Sequence, residues 1–209
     1  MSERQIAVLD YGIGNIHSVA KALRAAGSNP LLTSSPEDVR KADLLVVPGV
    51  GAFADCMGCL VERSLDQPVL DFIRTGRPFL GICVGMQMLF SESLEFGTHP
   101  GLGVIEGAVE RLKEEVGIKI PHVGWNAVQA ARPWAGSLLD DVQPGDMLYF
   151  THSFTATPTH ENNRLADTQY GSNRICAAVQ VDNVMGTQFH PEKSGDLGLK
   201  ILQRFIGLK

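Results

Sequence analysis

One stretch of the sequence, Gly81-Ile82-Cys83-Val84-Gly85, sets a single cysteine between two glycines, directly after an apolar run and directly before a helix-patterned one. That is the sequence shape of a nucleophile elbow, a sharp strand-to-helix turn that lifts a reactive side chain above a sheet while the glycines tolerate crowding. The thiolate is the attacking species, yet a thiol with its reference pKa of about 8.5 is only a few per cent ionised at neutral pH. Cys83 therefore needs help. The N-terminus of the following helix favours negative charge, and an imidazole can take or share the proton. Phe189-His190-Pro191-Glu192 supplies that imidazole together with a carboxylate. Side chains alternate in an extended segment, so His190 and Glu192 project to one side and Pro191 to the other. Glu192 can then accept one imidazole N–H and turn the other nitrogen towards the thiol, the third role in a catalytic triad.

Attack on a carbonyl builds an oxyanion, which needs donors already aimed at it. The sequence offers the backbone N–H of Val84, just past the cysteine, and the glycine-rich loop Pro48-Gly49-Val50-Gly51, where Val50 is the candidate donor. The loop follows a predicted strand, and open α/β sheets place their sites at the carboxyl ends of strands. Each signal has a plainer reading: a core cysteine beside a tight turn, a strand-to-helix turn, a surface histidine bonded to glutamate. Their joint occurrence discriminates. An α/β hydrolase would also place its acid between nucleophile and histidine, whereas here the acid follows the histidine.

The elements around these residues read as an α/β protein. Ile6 to Leu9, Pro30 to Thr33, Leu44 to Val47 and Phe79 to Ile82 are short apolar runs of the kind found in parallel strands buried on both faces. Between the first two, Asn15 is placed to cap a helix carrying Ile16, Val19, Ala20 and Leu23 on one stripe, with Gly27 at its end. After Gly103 the pattern changes to strands and turns: Val104 to Leu112, His122 to Val128, Met147 to Phe154, and a hairpin from Ala177 to Phe189 turning near Asp182-Asn183. A final helix carries Ile201, Leu202, Phe205 and Leu208. The predicted architecture is one domain over residues 1–209, a mostly parallel central sheet flanked by helices with antiparallel additions in the second half.

Length and charge narrow the function. A chain of 209 residues suits a single domain. A net charge of −5 with scattered lysines and arginines gives no basic stripe for nucleic acid. No apolar run reaches the roughly 20 residues of a membrane span, and Met1-Ser2-Glu3-Arg4-Gln5 lacks the regions of a signal peptide, so a cytoplasmic protein is expected. The four cysteines, at 56, 59, 83 and 176, are then expected as free thiols. Cys56-Met57-Gly58-Cys59 spells C-x-x-C, but no second pair of ligands flanks it, and no metal is expected. His122 and His152 lie in strand-like segments and read as structural; Cys176 reads as core.

Gly81 through Gln87 together with His190-Pro191-Glu192 resembles the class I, triad-type glutamine amidotransferases. Tyr11-Gly12-Ile13-Gly14-Asn15, Pro48 through Phe53, Lys119 through Asn126 and His190 through Ser194 narrow the likeness to the glutaminase subunits of imidazole glycerol phosphate synthases, over nearly the whole chain. The resemblance implies that Cys83 attacks the side-chain amide of glutamine, that His190 is acid and base, and that Glu192 positions it. It further implies that Gln87 contacts glutamine, that Gly51 lies beside it in the substrate site, and that the backbone around His152, Ser153 and Phe154 receives its α-amino and carboxylate groups. Many relatives carry tyrosine where this chain has Phe154. No cofactor is required. Ammonia has no acceptor here, so a (β/α)8-barrel cyclase partner is implied, meeting Asn15, Trp125, Tyr149 and Lys193. Plainer roles for these four are helix cap, core, core and solvated charge. A glutaminase serving a different synthase, or a thiol sensor of similar fold, would share much of this sequence.

Overall fold

Apolar runs in the first half become strands covered on both faces, and the segments between them become crossover helices. The computed structural model of the chain describes residues 4–208; Met1–Glu3, part of the stretch weighed against a signal peptide, and Lys209 lie outside the described residues. In chain order the elements are β1 (Ile6–Leu9), α1 (Ile16–Ala25), β2 (Leu31–Thr33), α2 (Pro36–Lys41), β3 (Leu44–Gly49), α3 (Phe53–Glu62), α4 (Asp66–Arg74), β4 (Phe79–Cys83) and α5 (Val84–Gln87). There follow β5 (Phe90–Ser93), β6 (His99–Pro100), β7 (Ile105–Arg111), β8 (His122–Ala130), β9 (Met147–His152), β10 (Phe154–Pro158), β11 (Arg164–Tyr170), β12 (Asn173–Val181), β13 (Val184–Thr187) and α6 (Gly195–Gly207).

Nine strands form one sheet in the order β2-β1-β3-β4-β13-β12-β11-β8-β9. From β2 to β13 the neighbours run parallel; from β13 to β9 they run antiparallel. The parallel register positions the site. Gly49 pairs with Cys83 on one side of β4, and Thr187 pairs with Ile82 on the other. The Pro48 loop and the Gln188–Glu192 segment therefore leave the sheet at the same edge as Cys83. The β12–β13 hairpin turns at Asp182 and Asn183 as its sequence suggested, with Asp182 at φ 48° and Val181 paired to Val184.

Three expectations are corrected. Met147 to Phe154 is two strands: the chain breaks at Ser153, β9 stays on β8 in the large sheet, and β10 joins β7 in a separate four-stranded sheet ordered β10-β7-β5-β6. At the break, Leu112 N–H bonds the Ser153 carbonyl, handing the chain from one partner strand to the other. Asn15 precedes α1 but makes no side-chain cap bond, because its amide reaches across the fold to Glu192 at 3.4 Å. Leu208 lies just past α6, whose buried stripe is Gly198, Ile201, Leu202 and Phe205.

Candidate active site

Cys83 ends β4 at φ 56° and ψ −112°, and α5 begins at the next residue. A non-glycine residue held there stores roughly 1–3 kcal/mol of strain, which persists only where the surroundings over-determine it. They do so by contact. A Cβ on Gly85 would sit 1.9 Å from the Val47 carbonyl oxygen, and one on Gly81 would sit 2.5 Å from that of Gly85. The two glycines flanking the cysteine let helix, elbow and neighbouring strand close on one another.

The thiol meets polar groups from two directions. The Gln188 amide donates to Cys83 Sγ at 3.6 Å, and Sγ lies 3.9 Å from the Thr151 carbonyl. His190 Nδ1 is 2.8 Å from Glu192 Oε1, with the two side chains 2% and 1% exposed. That bond places a proton on Nδ1 and leaves Nε2 to face the reaction. Nε2 is buried without a hydrogen-bond partner of ordinary geometry, though the thiol is close enough to couple to the imidazole's proton. Burial alone would push the His190 pKa down; the Cys83 sulfur and the Glu192 carboxylate outweigh it and lift the value to about 9. The Asn15 amide also donates to Glu192 Oε1, holding the carboxylate from behind.

A cleft of about 350 Å³ opens over Cys83. Of the residues singled out in the sequence, Val50, Gly51, Cys83, Val84, Gln87, His152, Ser153, Phe154, His190 and Lys193 line it. Glu192 stands behind His190, and Asn15 behind Glu192. Trp125 and Tyr149 lie elsewhere, paired across β8 and β9 with ring centroids 6.0 Å apart. Trp125 is 49% exposed, so it is no core residue, and Lys193 Nζ sits 5.7 Å from the centre of the Tyr149 ring.

Gln87 is committed inside the wall: its amide donates to the Phe154 carbonyl at 3.1 Å and to Gln188 Oε1 at 2.9 Å. The Phe154 carbonyl also accepts from His152 Nδ1 at 2.8 Å. With its proton on Nδ1, His152 accepts through Nε2 from His122 Nδ1 at 3.1 Å. Burial pushes His152 down to about 3 and lowers His122 as well, so both are neutral braces for the cleft's floor.

Gln188, Thr151, Glu95, Phe96 and Arg111 also reach the thiol or line the cleft and were not picked out from the sequence. For Gln188 the signal was present, since it precedes His190 by two positions in an extended segment and alternation puts both on one side. Glu95 and Phe96 sit in the turn after β5, where no periodicity speaks. Among the described residues no group of three or more histidine, cysteine or acidic side chains is placed to hold a metal ion. All four cysteines are free. A buried thiol beside an imidazole oriented by a carboxylate, under a cleft with main-chain donors, suits nucleophilic attack on a carbonyl or amide.

Comparison with known proteins agrees. The family model of class-I glutamine amidotransferases matches residues 7–207. The imidazole glycerol phosphate synthase subunit HisH of Trichormus variabilis is 45% identical over 201 residues, covering 96% of this chain and 94% of its own length. That of Geobacter metallireducens is 47% identical over 205 residues, covering 96% of each. Among solved structures, a glutamine amidotransferase superposes with a TM-score of 0.73 at 21% identity over 97% of this chain and 99% of its own. PurLQS from Thermotoga maritima gives 0.74 at 20% identity over 97% of each chain, a likeness of fold. With a thiol, an oriented imidazole and near-complete coverage by these relatives, the chain belongs to the class-I glutamine amidotransferases, in the family of HisH subunits of imidazole glycerol phosphate synthase.

Proposed function

We propose that the chain is a glutaminase in which Cys83 attacks the side-chain amide carbon of glutamine, with His190 as acid and base and Glu192 as its positioning group. The observation that carries this reading is the His190 ring, bonded through Nδ1 to a buried carboxylate and close enough to the Cys83 thiol to share its proton. The thiol proton passes to His190 as sulfur bonds to the amide carbon, and the oxyanion that forms is met by the N–H groups of Val50 and Val84. His190 gives its proton to the departing nitrogen and ammonia leaves. Water, deprotonated by His190, then splits the thioester, releasing glutamate and restoring the thiol. The balance is glutamine plus water to glutamate plus ammonia, with no cofactor.

The cleft complements an amino-acid zwitterion. Glu95 and Arg111 line it with opposite charges, and Gly51, Gln87 and the main chain from His152 to Phe154 form its floor. The Phe154 carbonyl already takes two donors and the Ser153 carbonyl takes the Leu112 N–H, so these carbonyls meet the α-amino and carboxylate groups only through their remaining lone pairs and the neighbouring main-chain N–H groups. Gln87 then acts more through the wall it builds than through direct contact.

Ammonia released into bulk water is protonated and ceases to be a nucleophile, so an acceptor must dock nearby. We assign this to a (β/α)8-barrel cyclase subunit that makes imidazole glycerol phosphate and aminoimidazole carboxamide ribotide in histidine biosynthesis, working in the cytoplasm, where free thiols persist. The β8–β9 face supports the docking: Val123, Trp125 and Met147 are all exposed there beside Tyr149 and Lys193, a clustering of large apolar groups characteristic of partner surfaces. Asn15, bonded to Glu192, is assigned to the same interface.

With the cyclase present, Cys83→Ala abolishes glutamine-dependent synthesis and leaves ammonia-dependent synthesis intact. Loss of both activities, or binding to some other synthase in place of the barrel cyclase, contradicts the reading.

A further inference from the structure

Two buried side chains outside the triad grip the loop that carries Val50. Tyr11 and Cys56 are both fully buried, the first after β1 and the second in α3. Tyr11 Oη donates to the Pro48 carbonyl at 2.7 Å. Cys56 Sγ donates to the Val50 carbonyl at 3.4 Å. Those oxygens belong to the peptide units immediately before and immediately after Gly49–Val50, the unit that bears the Val50 N–H. The phenol and the thiol are close enough to each other that each alters the other's proton affinity, so the two anchors form one assembly beneath the loop. A Cβ on Gly49 would lie 3.0 Å from Tyr11 Oη and 2.6 Å from the Gly85 nitrogen. Gly49 is thus pressed between the phenol and the elbow.

We infer that Tyr11 and Cys56 are positioning residues for the oxyanion site, clamping the carbonyls on both sides of the Gly49–Val50 peptide so that its N–H is aimed by one remaining rotation. This rests on the assignment of Val50 as an oxyanion donor. Donors pre-aimed at a developing charge are worth more than donors that must be ordered during the reaction. A glycine-rich segment has the backbone freedom to lose that aim, and a side-chain O–H and S–H on its flanking carbonyls remove the freedom without touching substrate. Cys56 therefore has a use that needs neither a metal nor a disulfide with Cys59. The clamp predicts a selective defect: the transition state is weakened while glutamine binding and the reactivity of the Cys83 thiol are kept.

The test uses the full chain with its cyclase. Tyr11→Phe and Cys56→Ala are expected to lower kcat for glutamine about tenfold at nearly constant KM, part of the hundredfold or more that loss of a whole donor costs, and Cys56→Ser, which keeps a donor, to restore most of it. Alkylation of Cys83 by iodoacetamide builds no oxyanion and is expected to keep its wild-type rate in each variant. An unchanged kcat in Tyr11→Phe, a Cys56→Ser variant as slow as Cys56→Ala, or kcat and alkylation falling together would overturn the inference; the last is what general loss of structure produces. A glutamate-semialdehyde-type inhibitor, which adds to Cys83 as a hemithioacetal, separates the layers by its effect on the Val50 amide proton resonance. No shift in the wild type removes Val50 as donor and the clamp's purpose with it. An equal shift in wild type and Tyr11→Phe leaves Val50 as donor and removes the clamp alone.

Discussion

The elbow wall of the cleft and the mouth opposite it leave very different amounts of room. At the elbow, Cys83 is strained, Gly81 and Gly85 have no space for a methyl group, and the residues around them are buried. At the mouth, Phe96 is 85% exposed, holds φ 55° and stands edge-on to Phe154 with ring centroids 6.2 Å apart. The reacting sulfur needs a fixed position, which close packing provides; a substrate needs a way in, which a loosely held aromatic provides. One site thus combines a wall that tolerates no added atom with a rim that tolerates many.

Substitution at each wall tests that contrast, and the largest effect belongs to the elbow. Gly85→Ala drives a methyl group into the Val47 carbonyl at 1.9 Å; a loss of at least about 3 kcal/mol is expected, measured by urea unfolding, because backbone atoms on both sides must move. Stability within about 1 kcal/mol of wild type would show that the elbow is looser than its contacts suggest.

The second effect is electrostatic. Despite burial, the Cys83 sulfur and the Glu192 carboxylate lift His190 to about 9, above the ordinary imidazole value of 6.5. A raised value means that its contribution to stability is full below about 6.5 and is lost as pH rises through about 9. Replacing Cys83 by alanine removes an interaction that raises the imidazole's proton affinity. The NMR titration midpoint of His190 is expected to fall in that variant, and an unmoved midpoint would uncouple the pair.

The smallest effect belongs to the rim. Phe96→Ala removes a side chain with little buried area, so stability is expected to stay within about 0.5 kcal/mol. The KM for glutamine rises a few-fold while kcat holds. A kcat that collapses instead would mean that Phe96 belongs to the rigid wall after all.

The same contrast explains what the sequence made legible. The parallel strands around Cys83 announce themselves because burial on both faces requires continuous apolar runs, and Gly-x-Cys-x-Gly announces the elbow because only glycine survives the contacts at positions 81 and 85. The joint reading of Cys83 with His190 and Glu192 needed only alternation and the rule that sites gather at strand ends. The split at Ser153 was invisible: β9 and β10 are both apolar and alternating, and the partner switch depends on which strand lies alongside. Asn15 read as a cap because local spacing cannot foresee a bond to a residue as remote in sequence as Glu192. Trp125 and Tyr149 permitted two meanings, core or surface, that only the sheet order separates.

Tyr149 has a double attachment. Its carbonyl accepts the His190 N–H at 2.9 Å, and its own N–H bonds Ser194 Oγ, which in turn donates to the His190 carbonyl. Its ring meanwhile stands opposite Trp125 and beneath Lys193 on the open side of β9. The imidazole is therefore slung from the same strand that any docked molecule would push against. The backbone that carries the imidazole and the outward-facing Tyr149 ring thus share one short hydrogen-bonded strand end.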